Sequence, residues 1–515
     1  MKSGSQKLIE IGYVVVLCIV LGWAFALSFS RAIRAGNNHD ENQFVASAEL
    51  LVNHALLPYR DYPYFHMPNL VFVYALIYSF TGHIVLGARL FSVVCATGAV
   101  ALLMFLIKDF FRGRNALYGL VASAGCVFLL LPNPLFAFTS GFAWNHDLPV
   151  LLTLAAVAFI FHGMRRNQGI WWAMASGISL GLAAGTRLSF ASAAIPLAGC
   201  LLFYPGSWKD KTKLLAVFIL GTLIALLPAI YLFLLAPKQF IFGNFIYPQL
   251  NTVYRQDTGF YGPANPMTLV EKLEYLWNIV IAQPGNLLLF LATLFFGYSC
   301  GLVDLLRKER LLENVLLLSL IPFLLVGSLL PSPAWYQYFY TLVPFALLAV
   351  AFGLSRLTYQ QDLQARWIWI MFIQLVLLVN FYHHEDYRRV AFLRHPDLWR
   401  PLMAHKLGQE IASYCSQGRI LTFTPAYALE GGADIYPEFA TGVFAWRTAS
   451  YLDEEQRKEL GMISDADLER FLALDPPGAI LVGLEPLIEE PLNAYALQYG
   501  YRKLEIQKDV WVWLQ

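Results

Sequence analysis

The sequence predicts a mainly α-helical, polytopic membrane protein, a transmembrane bundle of about eleven spans followed by a small C-terminal α/β domain. Composition is the first ground. Of 515 residues, 58% are hydrophobic and only 14% charged, where a soluble chain carries about 25% charged residues; mean hydropathy is +0.53. Repeated apolar runs of about 18 to 24 residues are the second, since that length crosses a hydrocarbon core of ~30 Å. The third is the spacing of basic clusters between those runs.

Basic residues mark cytoplasmic loops. The clusters are Lys2/Lys7, Lys108/Arg112/Arg114, Arg165/Arg166, Lys209/Lys211/Lys213, Arg307/Lys308/Arg310 and Arg356/Arg366. All can lie inside if spans run near 9–30, 84–107, 115–133, 148–163, 170–186, 189–205, 213–236, 286–303, 312–330, 337–355 and 367–383. The N-terminus is then inside and the tail outside. The first run follows Lys2 and Lys7 and exceeds a signal peptide's apolar region, so it reads as an uncleaved span.

Between the first two spans lies a long outer loop, 31–83. It carries Asp40-Glu41 and then Phe44, Val45, Ala48, Leu51, Val52, Ala55 and Leu56 at helical spacing. That pattern predicts an amphipathic interfacial helix, with Asp40 and Gln43 placed as a capping box. A Pro/Tyr-rich stretch, 58–68, precedes an apolar piece, 68–80, too short to cross upright and assigned in-plane or re-entrant. The membrane unit is expected to cover 1–383. Beyond it, 384–515 alternates short β-rich pieces (420–424, 479–484, 510–514) with helical patterns (401–414, 465–474, 491–498), as a small α/β domain does.

Net charge is +1, with no basic stripe for a nucleic acid. The six cysteines form no CxxC and no Cys/His ligand spacing, which excludes a disulfide framework or zinc finger. The run His383-His384-Glu385-Asp386 reads as a solvated hinge rather than a metal site.

Polar residues gather on the outer side, and carboxylates just outside a bilayer suit acid–base work on a lipid-carried substrate. Asp40 is the first candidate base and Glu41 the second. Asp147, in the second outer loop, is either a binding residue or, with Pro149 behind it, a helix start. An outward Arg187 either snorkels to headgroups or clamps a phosphate in bidentate fashion. Arg255 sits with Tyr247 and Tyr254 in the polar, aromatic loop 242–262, which suits a sugar or a headgroup. Asp61 and His66 either line the same cleft or serve as hydrogen-bonded structural residues, and 335–338 suits interface anchoring first and cleft lining second.

The sequence resembles the GT-C superfamily of membrane glycosyltransferases, in the bacterial branch related to protein O-mannosyltransferases and the aminoarabinose transferase of lipid A. The resemblance rests on Asp40-Glu41, on 58–68, on the entry from Gly82 to Leu90, on Asn145-His146-Asp147, and on Gly181-Leu182-Ala183-Ala184-Gly185-Thr186-Arg187. It departs at His66-Met67, where the aminoarabinose branch often carries an acid–lysine pair, so it points to the donor class rather than to lipid A chemistry.

The resemblance implies transfer of a hexosyl or pentosyl unit from a polyprenyl-phosphate donor to a lipid, glycan or protein acceptor. It implies inversion, a first-loop carboxylate as general base, and a site and tail on the periplasmic or extracellular side of a bacterial inner membrane. No cofactor is required; a divalent metal is compatible with the acidic loops, though no spacing calls for one. The alternatives are a transporter or flippase of lipid-linked glycans and a non-catalytic glycan-binding scaffold. Transporters show related halves and mid-membrane ionisable groups, whereas these spans are almost uncharged at their centres.

Overall fold

A chain in hydrocarbon must satisfy its own N–H and C=O groups, so the apolar runs become helices. The computed structural model describes residues 2–113, 116–166, 169–259, 265–307, 310–357, 363–415 and 417–515. Arg114, Gly262 and Lys308 lie outside the described residues, as do the side chains of Lys2, Lys7, Arg165 and Arg166. The protein is an integral, multi-pass membrane protein. Its first half comprises α1 (Lys2–Arg34), α2 (His39–His54), α3 (Asn69–Tyr78), α4 (Ile84–Phe110), α5 (Ala116–Leu130), α6 (Pro134–Thr139), α7 (Asp147–Arg166) and α8 (Gly169–Thr186).

Every expected span is occupied by helix, yet length alone does not support a count of eleven. Among the described residues five helices are long and apolar enough to cross, or seven if each of two bent pairs is one span. Others, such as α5 and 188–202, have only 10–17 residues. One bent pair, Trp208–Ala225 and Leu227–Leu235, turns by 55° where Pro228 interrupts the hydrogen-bond ladder.

The outer loop differs from expectation in two respects. The N-cap of α2 is Asn38, not Asp40, and Glu41 rather than Gln43 completes the capping box. Nor is α2 interfacial: Glu41 through Ala48 are all buried, because the tail packs over them. Asn42 Oδ1, for example, accepts the Ala426 N–H at 3.2 Å. The apolar piece 68–80 forms only α3, which packs on α2, α4 and α8.

Small residues let α8 approach its neighbours. Gly177 and Gly181 face helix Trp208–Ala225, where an added Cβ would lie 2.0 Å from the Phe218 carbonyl oxygen and 2.5 Å from that of Thr222. Gly221 returns the contact against the Met174 carbonyl, and at Gly185 a Cβ would strike Asn69 of α3 at 2.2 Å. Small residues spaced by four are how helices pack closely in lipid, where burial drives little association.

The tail contains a four-stranded sheet of order β1-β2-β4-β3. β1 (Ile420–Leu421) runs parallel to β2 (Ala479–Val482), while β4 (Val510–Leu514) is antiparallel to β2 and to β3 (Arg502–Gln507). The expected strand at 420–424 is cut short, since Thr422 and Thr424 bond each other and Pro425 opens a helix. β3 was not expected. It is an exposed edge strand whose Arg502, Lys503 and Glu505 suit a sheet border but hide the apolar alternation. The expected tail helices appear as Arg400–Tyr414, Asp465–Leu472 and Glu490–Gln498. One apolar cluster joins Phe44, Leu70 and Ala88 of the bundle to Ile411, Leu481 and Val512 of the tail.

Overpacking the α8 seam should cost about 1–3 kcal/mol. Gly181→Ile is expected to lower the thermal midpoint in detergent, whereas Gly199→Ala, where a Cβ meets nothing within 4 Å, should leave it unchanged.

Candidate functional site

The site begins at the turn between α1 and α2. Asn38 Oδ1 accepts the Asp40 N–H at 2.9 Å, and Glu41 Oε2 accepts the Asn38 N–H at 2.9 Å. Glu41 also takes a bidentate pair from Arg89 of α4, 2.8 Å to Oε1 and 2.6 Å to Oε2. The Ala143 N–H donates to Oε1 at 2.7 Å. Arg89, fully buried, spends its other donors on the carbonyls of Ala32, Ala35 and Gly36 at 2.7–2.8 Å. Glu41 is thus a structural anchor facing away from solvent. Asp40, one residue earlier, projects the other way with 29% of its side chain exposed and His39 Nε2 at 3.4 Å.

Asp40 borders a cavity of about 990 Å³. Among the described residues it is the one carboxylate in the wall, and Arg187 and Arg255 lie in the same wall. Arg187 sits in extended backbone where α8 ends and a tight turn, Leu188–Ala193, begins. Its guanidinium contacts neutral groups: Asn145 Oδ1 at 3.1 Å, His146 Nε2 at 3.0 Å, Ser189 Oγ at 3.2 Å, and the Tyr338 ring at 4.2 Å. No carboxylate pairs with it among the described residues.

The opposite wall comes from Pro237–Ile241, a widened π turn Phe242–Ile246, and helix Tyr247–Asp257. Such turns recur at functional sites because they displace side chains from the regular helical register. Gly243 allows the approach, since a Cβ there would lie 2.1 Å from the Tyr64 carbonyl. Tyr247 stacks on Phe65 at 3.9 Å between centroids, and Arg255 lies over Trp335 at 4.7 Å. Burial first, then Arg447 of the tail, lowers the Arg255 pKa from its usual value. Two guanidiniums thus converge here.

His66 lines the cavity with its ring stacked on Phe44 at 5.2 Å. Burial first and Arg187 second push its imidazole down to about 3, so at neutral pH it is an uncharged hydrogen-bonding group. The tail closes the cavity with Phe444, which packs toward Tyr247 at 6.5 Å.

The structure therefore gathers Asp40, His66, Arg187, Tyr247 and Arg255 and leaves four expected residues outside. Glu41 is consumed by Arg89. Asp147 is buried, accepting the Gly141 N–H at 2.8 Å and the Tyr340 hydroxyl at 3.1 Å; it shapes the loop that presents Asn145 and His146. Asp61 pairs with Arg60 at 2.7 Å and accepts the Leu57 N–H at 2.7 Å. Tyr254 faces Arg447 at 6.0 Å instead. His383 to Asp386 forms local ion pairs with neighbouring residues. The candidates did not include Phe444 or Arg447; their only signal was an aromatic-basic patch in a polar tail. Of the two readings of 335–338, cleft lining holds for Trp335, Gln337 and Tyr338.

No protein-family model and no curated protein matches the sequence. Among solved structures, the chain aligns with ArnT from Cupriavidus metallidurans bound to undecaprenyl phosphate at TM-score 0.64 and 15% identity, covering 98% of each chain. The apo form of ArnT gives 0.63 and 14%. An Archaeoglobus fulgidus oligosaccharyltransferase in its apo form gives 0.51 and 13%, covering 92% of this chain and 70% of that one. The shared feature is the fold, and it is the GT-C fold that the sequence suggested.

Breaking a buried ion pair costs about 3–5 kcal/mol because it strands a charge. Glu41→Ala is therefore expected to lower the thermal midpoint markedly, with Asp40→Asn near wild type in the same melt.

Proposed function

We propose that this protein is a membrane glycosyltransferase that moves a monosaccharide from a polyprenyl phosphate to an extracytoplasmic acceptor. The observation that carries the reading is a lone cavity carboxylate, Asp40, sharing its wall with Arg187, a buried arginine paired with no carboxylate among the described residues. A base and an unneutralised cation in one enclosure suit displacement of a phosphate by a hydroxyl. The related fold of ArnT, solved with undecaprenyl phosphate bound, supports a lipid phosphate as the leaving group.

In the reaction, Asp40 takes the proton of the acceptor hydroxyl as its oxygen bonds to the anomeric carbon. The bond from that carbon to the phosphate oxygen breaks, and its electrons leave with the polyprenyl phosphate. Attack opposite the leaving group inverts the anomeric centre. Arg187 and Arg255 hold the phosphate, where a well-aimed donor contributes about 3–4 kcal/mol to the transition state. Neutral His66 and the Tyr247 hydroxyl offer hydrogen bonds to the sugar. A volume of about 990 Å³ is at the upper end for small-molecule sites, room enough for a glycosyl phosphate and the first part of a prenyl chain.

The setting is a bacterial inner membrane, with the cavity opening to the periplasm. Residues 384–515 act as a covering unit; Phe444 in the cavity wall supports that role. The acceptor is a lipid, glycan or protein hydroxyl.

Purification in mild detergent followed by mass spectrometry of bound lipid is expected to find a polyprenyl phosphate or its sugar ester. A positioned base contributes ~10²–10⁴-fold, so Asp40→Asn should lose labelled-donor turnover by about that factor while retaining the lipid. Undiminished turnover would remove Asp40 as base. Arg187→Ala is expected to lower both lipid retention and turnover, and Arg187→Lys to restore them only in part, because an ammonium cannot bind phosphate in bidentate fashion.

A further inference from the structure

A second polar cluster lies outside the cavity, where the tail docks on the start of α4. His83 precedes α4, His405 lies on helix Arg400–Tyr414, and Glu430 ends helix Pro425–Glu430. One donor atom from each falls within 4.8 Å of the others. Glu430 is buried and fixed, with Oε1 accepting the Val85 N–H at 2.7 Å and Oε2 facing His405 Nδ1 at 2.6 Å. The His83 ring meets the His405 ring edge-on at 4.1 Å.

We propose that His83, His405 and Glu430 bind a divalent transition-metal ion of the zinc class, which staples the tail to the membrane bundle. Two imidazoles and a carboxylate are a common zinc donor set, with water completing a tetrahedron. A simple His405–Glu430 pair would account for two of the three residues. It leaves the placement of His83 unaccounted for, because among the described residues its imidazole makes no hydrogen bond although the ring sits edge-on against His405 at 4.1 Å. A cation resolves this by using both lone pairs. The proton between His405 Nδ1 and Glu430 Oε2 gives way as His405 changes from its Nδ1–H to its Nε2–H tautomer, and metal–nitrogen and metal–oxygen bonds replace the Nδ1–H···Oε2 bond. The pair then opens from 2.6 Å to about 3.3 Å, the separation of tetrahedral ligands at ~2.0–2.1 Å. Glu49, on α2, interacts electrostatically with Glu430 and adds negative charge on the same side. Gln409, whose amide lies 3.0 Å from His405 Nε2, then turns its Oε1 to accept that N–H and orients the ring from behind.

The test uses the full-length protein in detergent, without a histidine tag, stripped with chelator and then given Zn²⁺ alone. One ion per chain is expected by elemental analysis, together with a higher thermal midpoint that chelator reverses. His83→Ala, at an exposed position, should fold and bind Zn²⁺ at least tenfold more weakly. His83→Cys, which supplies a thiolate ligand, should restore binding. No stoichiometric zinc, or zinc retained equally by His83→Ala and His405→Ala, would overturn the site.

Discussion

The buried ion pair between Glu41 and Arg89 is the constraint on which the cavity depends. Arg89 gathers three carbonyls from the end of α1 and the following turn, while Glu41 caps α2 and takes the Ala143 N–H. Three segments distant in sequence, 32–41, Arg89 and Ala143, are thereby tied at one point. An ion pair this deep repays its desolvation only when every donor and acceptor is used, and here nearly all are. The consequence for Asp40 is geometric. With its neighbour locked inward and Asn38 supplying the cap, Asp40 has no structural duty and is left facing the cavity.

Arg187 is held by a different device. The glycines of α8 allow backbone contact with Trp208–Ala225 and with α3, so the end of α8 has little freedom to shift. Asn145, His146, Ser189 and Tyr338 then support the guanidinium without neutralising it. Carboxylate and guanidinium thus reach one wall through independent supports, one electrostatic and one steric. The tail completes the enclosure through Phe444, and its apolar core is continuous with that of α2 to α4.

Some of this was legible from residues alone. Asp40 stood out as part of an acidic pair following the first apolar run, and Arg187 as an arginine that breaks the pattern of basic residues between the spans. The same reasoning could not place Glu41, whose partner is 48 residues away, and of the two readings of Asp147 the helix start holds, since α7 begins there while its partner Tyr340 is 193 residues away. A carboxylate destined for burial and one destined for solvent look alike until their partners are known. The capping box was placed two residues late, because Asp40 followed by Gln43 and Asn38 followed by Glu41 both fit the pattern. Phe444 and Arg447 were missed since nothing local distinguishes them from an ordinary helix of the tail.

By itself the sequence determined the solvent and the secondary structure. Apolar runs of bilayer length compel helices, since lipid offers no partner for backbone groups, and after His383 those runs give way to the alternating pattern of the α/β tail. Tertiary structure decided which polar groups are spent and which remain available. That choice depends on long-range pairing, where one arginine at position 89 satisfies a distant glutamate and leaves the adjacent aspartate facing the cavity.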